Sequence, residues 1–99
     1  MLQITDNNGI FQLSGNLVAG STSDLKNHIN HLLDRKENVI ISLDKIESID
    51  INGVNVLKKL YKKAISNNVL FYVIGRENKK IAKYINSTML QFIVRRDNL

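Results

Sequence analysis

Few residues of this chain are of types and spacings that could do chemistry. His28 and His31 stand three apart, a spacing that puts both imidazoles on adjoining helix surface. A metal would need a third ligand. Asp24 and Asp34 are available, but no His-Glu-x-x-His signature is present, and the expectation is two solvated histidines. Asp44, Glu47 and Asp50 follow an apolar run. The carboxyl end of such a strand is where open α/β sheets bind ligands. Three acids in a loop also serve as solvated side chains and helix caps, so the expected metal set is none. There is no Cys, which excludes thiolate ligands, thiol catalysis and disulfides. No Gly-x-Ser-x-Gly elbow appears, and the five glycines form neither a Walker loop nor a dinucleotide loop. The expectation is therefore no catalytic residue, no cofactor and no enzymatic activity.

Lys58, Lys59, Lys62 and Lys63 are four of the ten lysines in a chain of net charge +5. Such a cluster can bind nucleic acid or acidic membrane surfaces. It lacks interleaved aromatics beyond Tyr61 and any recognised reading motif, so it reads as a solvated helix face and no direct nucleic-acid role is expected.

The elements that must position these residues follow from apolar periodicity. Leu2–Thr5 and Gly9–Ser14 alternate around Asn8-Gly9, a strong hairpin signal, and Gly15 to Gly20 reads as a loop. Ser21, Thr22 and Ser23 offer hydroxyl caps to a helix striped by Leu25, Ile29, Leu32 and Leu33. Val39 to Leu43 is an apolar run that reads as a strand covered on both faces. Ile49, Ile51, Val54 and Val56 alternate around Asn52-Gly53 as a second hairpin would. Val54, Leu57, Tyr61 and Ala64 nevertheless repeat at helical spacing, and good helix formers dominate from Leu57 to Ala64. The reading chosen is a helix from near Asn52, with Asp50 or Asn52 as N-cap, ending at Asn67-Asn68. Val69 to Ile74 forms another strand closed by Gly75. Glu77 to Asn86 reads as a short helix with Ile81, Ala82 and Ile85 inward, and Met89, Leu90, Phe92 and Ile93 form an apolar tail. At 99 residues and 43% apolar composition this is one domain, residues 1–99. The class is α/β, with a mixed, mostly parallel four-stranded sheet, an N-terminal hairpin and flanking helices. No apolar run reaches the roughly 20 residues of a membrane span. The start of the chain has no signal-peptide pattern, so the expected compartment is cytoplasmic.

The run Gly15-Asn16-Leu17, the helix from Ser21, the strand Val39 to Leu43, the segment Ile49-Asp50-Ile51-Asn52-Gly53-Val54, the strand Val69 to Gly75, the helix after Glu77 and the tail Met89 to Ile93 together resemble a STAS domain of the anti-sigma factor antagonist type. The resemblance covers nearly the whole chain and rests on the succession of short motifs. In that family the segment before the second helix reads aspartate, serine, serine or threonine, glycine, and its second hydroxyl residue is phosphorylated by an anti-sigma factor kinase. Asp50 and Gly53 match. Ile51 replaces the first serine, and Asn52 stands at the phosphoacceptor-equivalent position, where it cannot be phosphorylated. Val18 replaces an aspartate that many members carry in the early loop.

The resemblance implies a cytoplasmic protein-interaction domain of a sigma-factor signalling pathway, without the usual serine switch. Its implied partner is an anti-sigma factor with a histidine-kinase-like ATPase domain. The implied contact residues are Ser21, Thr22 and Asp24 at the first helix start, and Asp50, Ile51, Asn52, Gly53 and Val54 at the second. The alternative is a STAS subunit of a membrane transport or signalling assembly. Physically, Asn52 sits where the N–H groups of a helix start are unpaired and the dipole favours negative charge, so the site would tolerate a phosphate. A neutral Asn mimics the unphosphorylated, partner-binding state of the family.

Overall fold

A computed structural model of the protein describes residues 2–75, 77–87 and 94–95. The chain begins with an antiparallel hairpin of β1 (Leu2–Asn7) and β2 (Ile10–Leu17). Asn8 and Gly9 between them have φ of 56° and 86°, the left-handed pair that matches a hairpin's twist. The Gly9 N–H donates to Asp6 Oδ1 at 3.0 Å. There follow α1 (Thr22–Asp34), β3 (Val39–Ile49), α2 (Ile51–Ser66), β4 (Phe71–Ile74), α3 (Ala82–Ser87) and β5 (Val94–Arg95). The sheet order is β1-β2-β3-β4-β5, parallel everywhere after the hairpin. The expected α/β sheet with its N-terminal hairpin and flanking helices is present, and a fifth, two-residue strand extends it. The expected apolar tail, Met89, Leu90, Phe92 and Ile93, lies outside the described residues. Among the described residues no helix is long and apolar enough to cross a membrane.

One sheet face carries the core. Leu13 and Phe11 of β2 stand beside Ile4 and Asp6 of β1, and Val39 and Ile41 beside Phe71 and Val73 of β4. The helices pack onto this layer with buried stripes, Leu25, Ile29 and Leu33 from α1 and Val54, Leu57, Leu60 and Ala64 from α2. Full burial of each such Leu or Ile contributes about 1.5–3 kcal/mol of transfer free energy. Asn52-Gly53 lies inside α2 and turns no hairpin, as the helical spacing of Val54, Leu57, Tyr61 and Ala64 predicts. The expected cover on both faces of β3 is incomplete, because Ile40 is only half-buried.

Several boundaries differ from the sequence reading, among them the start of β4, at Phe71 rather than Val69. Gly15 to Leu17 is strand rather than loop, because β3 is eleven residues long and its second half pairs with Ser14 to Leu17. Two register shifts in that pairing reset the pleat. They let Leu43, Ile46 and Ile49 all be buried at a spacing of three, which no regular strand allows. Asp44 and Glu47 are accordingly strand residues. The segment from Glu77 to Ile81 is turn rather than helix. β4 ends opposite Ser42, so the β3 carbonyls beyond it lack a strand partner on that side. The Asn78 amide takes that place, donating to Leu43 O at 2.8 Å and Ile46 O at 2.9 Å. Gly75, at φ 120°, precedes it. A Cβ there would lie 2.8 Å from Leu43 Cβ.

Candidate functional site

The starts of α1 and α2 meet at Asp50. Its backbone is extended, as an N-cap requires. Its Oδ1 accepts the Gly53 N–H at 3.0 Å. Its Oδ2 accepts the Ala19 N–H at 3.1 Å and lies 3.5 Å from the Asn52 amide nitrogen. The Asp50 N–H in turn donates to Leu17 O at 3.3 Å. One carboxylate thus ties the first turn of α2 to the turn that leads into α1. Desolvation pushes the Asp50 carboxyl up. The N–H donors of Gly53 and Ala19, joined by Asn52, outweigh it and hold the group below the ordinary aspartate value.

Gly53 makes this approach possible. A Cβ there would stand 2.3 Å from Leu17 O and 2.9 Å from Ile49 Cγ1, so any other residue would force α2 off the end of β2. The glycine shared with the family motif therefore has a packing reason of its own.

On the α1 side the expected hydroxyl caps are not made. Ser21 is the N-cap by position, but no side-chain bond caps the helix. The buried Ser21 hydroxyl instead donates to Asn16 O at 2.7 Å and accepts the Val18 N–H at 3.1 Å. Thr22 Oγ1 donates to Ala19 O at 3.3 Å. The hydroxyls staple a short 3-10 turn, Ala19–Ser21, instead of closing the helix end. Ser48 Oγ donates to Asn16 Oδ1 at 2.6 Å and fixes the base of the same turn.

Of the eight residues singled out by sequence, Thr22 is half-buried, and Asp24, Ile51 and Asn52 are exposed, Ile51 by 53%. Asp50 is half-buried at their junction. Ser21, Gly53 and Val54 are buried, Val54 completely. They position the surface and do not present side chains to it. The helix start is also not the set of free donors that the sequence reading expected, because the Asp50 carboxylate takes the Gly53 N–H and the Asp50 carbonyl takes the Val54 N–H. A phosphate at position 52 would meet a carboxylate 3.5 Å from the Asn52 amide.

Sequence reasoning missed the groove that joins these two starts. It encloses about 330 Å³ and is lined by Thr22, Ser23 and Lys26 of α1 and by Asn52, Asn55, Val56 and Lys59 of α2. The spacing of Asn52, Asn55, Val56 and Lys59 marks one helix face, but only packing shows that this face meets Thr22 and Lys26. The lysine cluster is correspondingly divided. Lys59 lines the groove, and Lys63 bonds Asp34 Oδ1 at 2.7 Å and Asn30 Oδ1 at 3.2 Å, so neither belongs to a uniformly solvated face.

Other candidates disperse. His28 packs edge-on against Phe11 with ring centroids 5.5 Å apart. Glu47 pairs with Lys80, away from the cap made by Asp50. Among the described residues no three His, Cys, Asp or Glu side chains are gathered as a metal site would need.

A family model described as STAS domain matches residues 1–98. Among solved structures, the anti-sigma factor antagonist SpoIIAA in its unphosphorylated form is similar with a TM-score of 0.78 at 10% identity, over 99% of this chain and 89% of that one. The phosphorylated form of SpoIIAA from Bacillus gives 0.70 at 10% identity, over 99% and 92%. An anti-sigma factor antagonist from Mycobacterium paratuberculosis gives 0.77 at 18% identity, over 100% and 86%. At these identities the likeness is one of fold. No curated protein sequence matches the chain.

Proposed function

The chain belongs to the STAS domain family, and from that premise we propose that it is a non-enzymatic interaction domain docking an anti-sigma factor with a histidine-kinase-like ATPase domain. The docking surface is the joined pair of helix starts. The observation that carries this reading is the Asp50 junction. It joins the start of α2, with exposed Ile51 and Asn52, to the start of α1, with Thr22 and Asp24, over buried Ser21, Gly53 and Val54. An exposed apolar side chain on a hydrogen-bonded helix start suits a protein contact. Asn52 supplies no hydroxyl, so binding by this chain is constitutive with respect to phosphorylation at that position.

The test is calorimetric titration against purified kinase-type anti-sigma factors from the source cell. The wild-type chain is expected to bind one of them. Asn52→Asp is expected to bind that factor at least tenfold more weakly, with melting curves as the folding control. Incubation with the same factor and ATP should leave position 52 unlabelled. Failure of the wild type to bind any of them, or equal binding by Asn52→Asp, overturns the reading.

A second reading is a STAS subunit of a membrane transport or signalling assembly. It is favoured by a different surface at the far end of α2, where Ile65 and Leu70 are 58% and 52% exposed beside a hollow of about 150 Å³ lined by Tyr61, Phe71 and Tyr72.

A further inference from the structure

The two long helices neutralise each other at one level and not at the next. Toward the ends of α1 and α2, Lys63 meets Asp34 and Asn30. Lys59 stands one helical turn before Lys63 on α2, Lys26 one turn before Asn30 and two before Asp34 on α1, and both line the groove. No carboxylate lines it with them; the other lining groups are hydroxyls, amides and Val56. Asp50, which Asn52 links to the groove, is already engaged by Ala19 and Gly53. Among the described residues neither Lys26 nor Lys59 has an ion-pair partner. Two exposed lysines therefore share one concave groove, with no carboxylate among the described residues paired to either. In such a cleft the field is focused and a bound counter-charge is favoured.

We propose that this groove takes a carboxylate-bearing segment of the protein partner, with Lys26 and Lys59 supplying the pairing that Lys63 finds within the fold. The inference rests on the docking reading above and adds the partner's chemistry. An acidic side chain enters between α1 and α2 beside the apolar contact at Ile51. Ser23 and Asn55 offer a hydroxyl and an amide donor to the same carboxylate. The groove then sets which partner docks and how fast, since charge complementarity governs specificity and encounter rate more than raw affinity.

Two measurements test this. In the first, the isotope-labelled full chain is titrated by NMR with an amidated hexaglutamate peptide and, as control, hexaglutamine at low ionic strength. Saturable shifts confined to Thr22, Ser23, Lys26, Asn55 and Lys59 are expected with hexaglutamate only, and they should vanish in Lys26→Gln/Lys59→Gln. Shifts scattered over Lys45, Lys62 and Lys79, or no shifts, overturn the proposal. In the second, the anti-sigma factor that binds the wild type is titrated with Lys26→Glu/Lys59→Glu and with Lys58→Glu/Lys62→Glu. The groove pair should lose roughly a hundredfold in affinity, with a steep salt dependence in the wild type, and the control pair less than about threefold. Wild-type affinity in the groove pair overturns the groove and leaves the docking reading standing. If no anti-sigma factor binds while the hexaglutamate signature is present, the docking partner is wrong and the groove's preference for carboxylates holds.

Discussion

At Asp50 one carboxylate receives N–H groups from two segments, Ala19 before α1 and Gly53 in the first turn of α2, so losing its charge loosens both together. Asp50→Ala is expected to cost about 0.5–2 kcal/mol as a lost N-cap, toward the upper end because the Ala19 N–H also loses its acceptor. The folded carboxyl lies below the ordinary aspartate value. Its stabilisation is therefore complete at pH above the unfolded aspartate value and disappears as pH falls through the folded one. Urea melts of wild type and Asp50→Asn should differ at pH 7 and converge in acid below the ordinary aspartate range. A gap that persists there would show that the carboxylate's charge is irrelevant. Asn52→Asp is a related experiment with opposite sign. It exchanges an amide donor 3.5 Å from Asp50 Oδ2 for a second carboxylate, and like charges so close raise the pKa of one of them. Its Tm should fall slightly at pH 7 and recover toward pH 4.

Between elements, contacts at single atoms decide how α2 and β3 sit. Gly53→Ala would drive a methyl against Leu17 O at 2.3 Å. Backbone cannot yield as a flexible side chain does, so a loss of about 1–3 kcal/mol or more is expected, read as a lower urea midpoint with unchanged m-value. Asn78→Ala would leave Leu43 O and Ile46 O without their donor, at about 1–3 kcal/mol. Asn78→Asp should cost at least as much, because it replaces a donor with an acceptor facing two carbonyls. At this scale the sequence was legible wherever local pattern and tertiary packing agreed. Asn8-Gly9 turned the hairpin, and the stripe from Val54 to Ala64 outweighed the Asn52-Gly53 signal. The second half of β3 was not legible, because its buried residues recur every third position and only bulges against β2 make that possible. The turn around Asn78 was hidden for a similar reason, since its amide answers a vacancy that exists only once β4 has stopped short. The candidate site divides in the same way. The N-cap was readable from one segment to within Asp50 or Asn52, and the structure selects Asp50, whereas Lys26, Asn55 and Lys59 become neighbours only when two helix faces meet.

For the molecule as a whole, α2 is the element whose buried stripe spans the sheet, with Val54, Leu57, Leu60 and Ala64 all in the core. Leu57→Ala should cost about 2–5 kcal/mol, which in a chain of 99 residues lowers Tm by on the order of 10 °C or more. A shift within about 2 °C would contradict the burial of that side chain. The fold class was readable at this scale because strands and helices alternate along the chain. The sheet's spatial order also repeats the order of synthesis, β1-β2-β3-β4-β5. On the ribosome each strand therefore emerges after the neighbour it will join, and no early strand waits for a distant late one. Growth proceeds by adding one crossover at a time to a single advancing edge, which keeps the conformational search short at every stage. The same order exposes a defined weakness in a truncated chain. A product released after ending near Asn68 leaves open the apolar edge of β3 that β4 would cover, Val39–Ser42, and that edge is where it would recruit another strand.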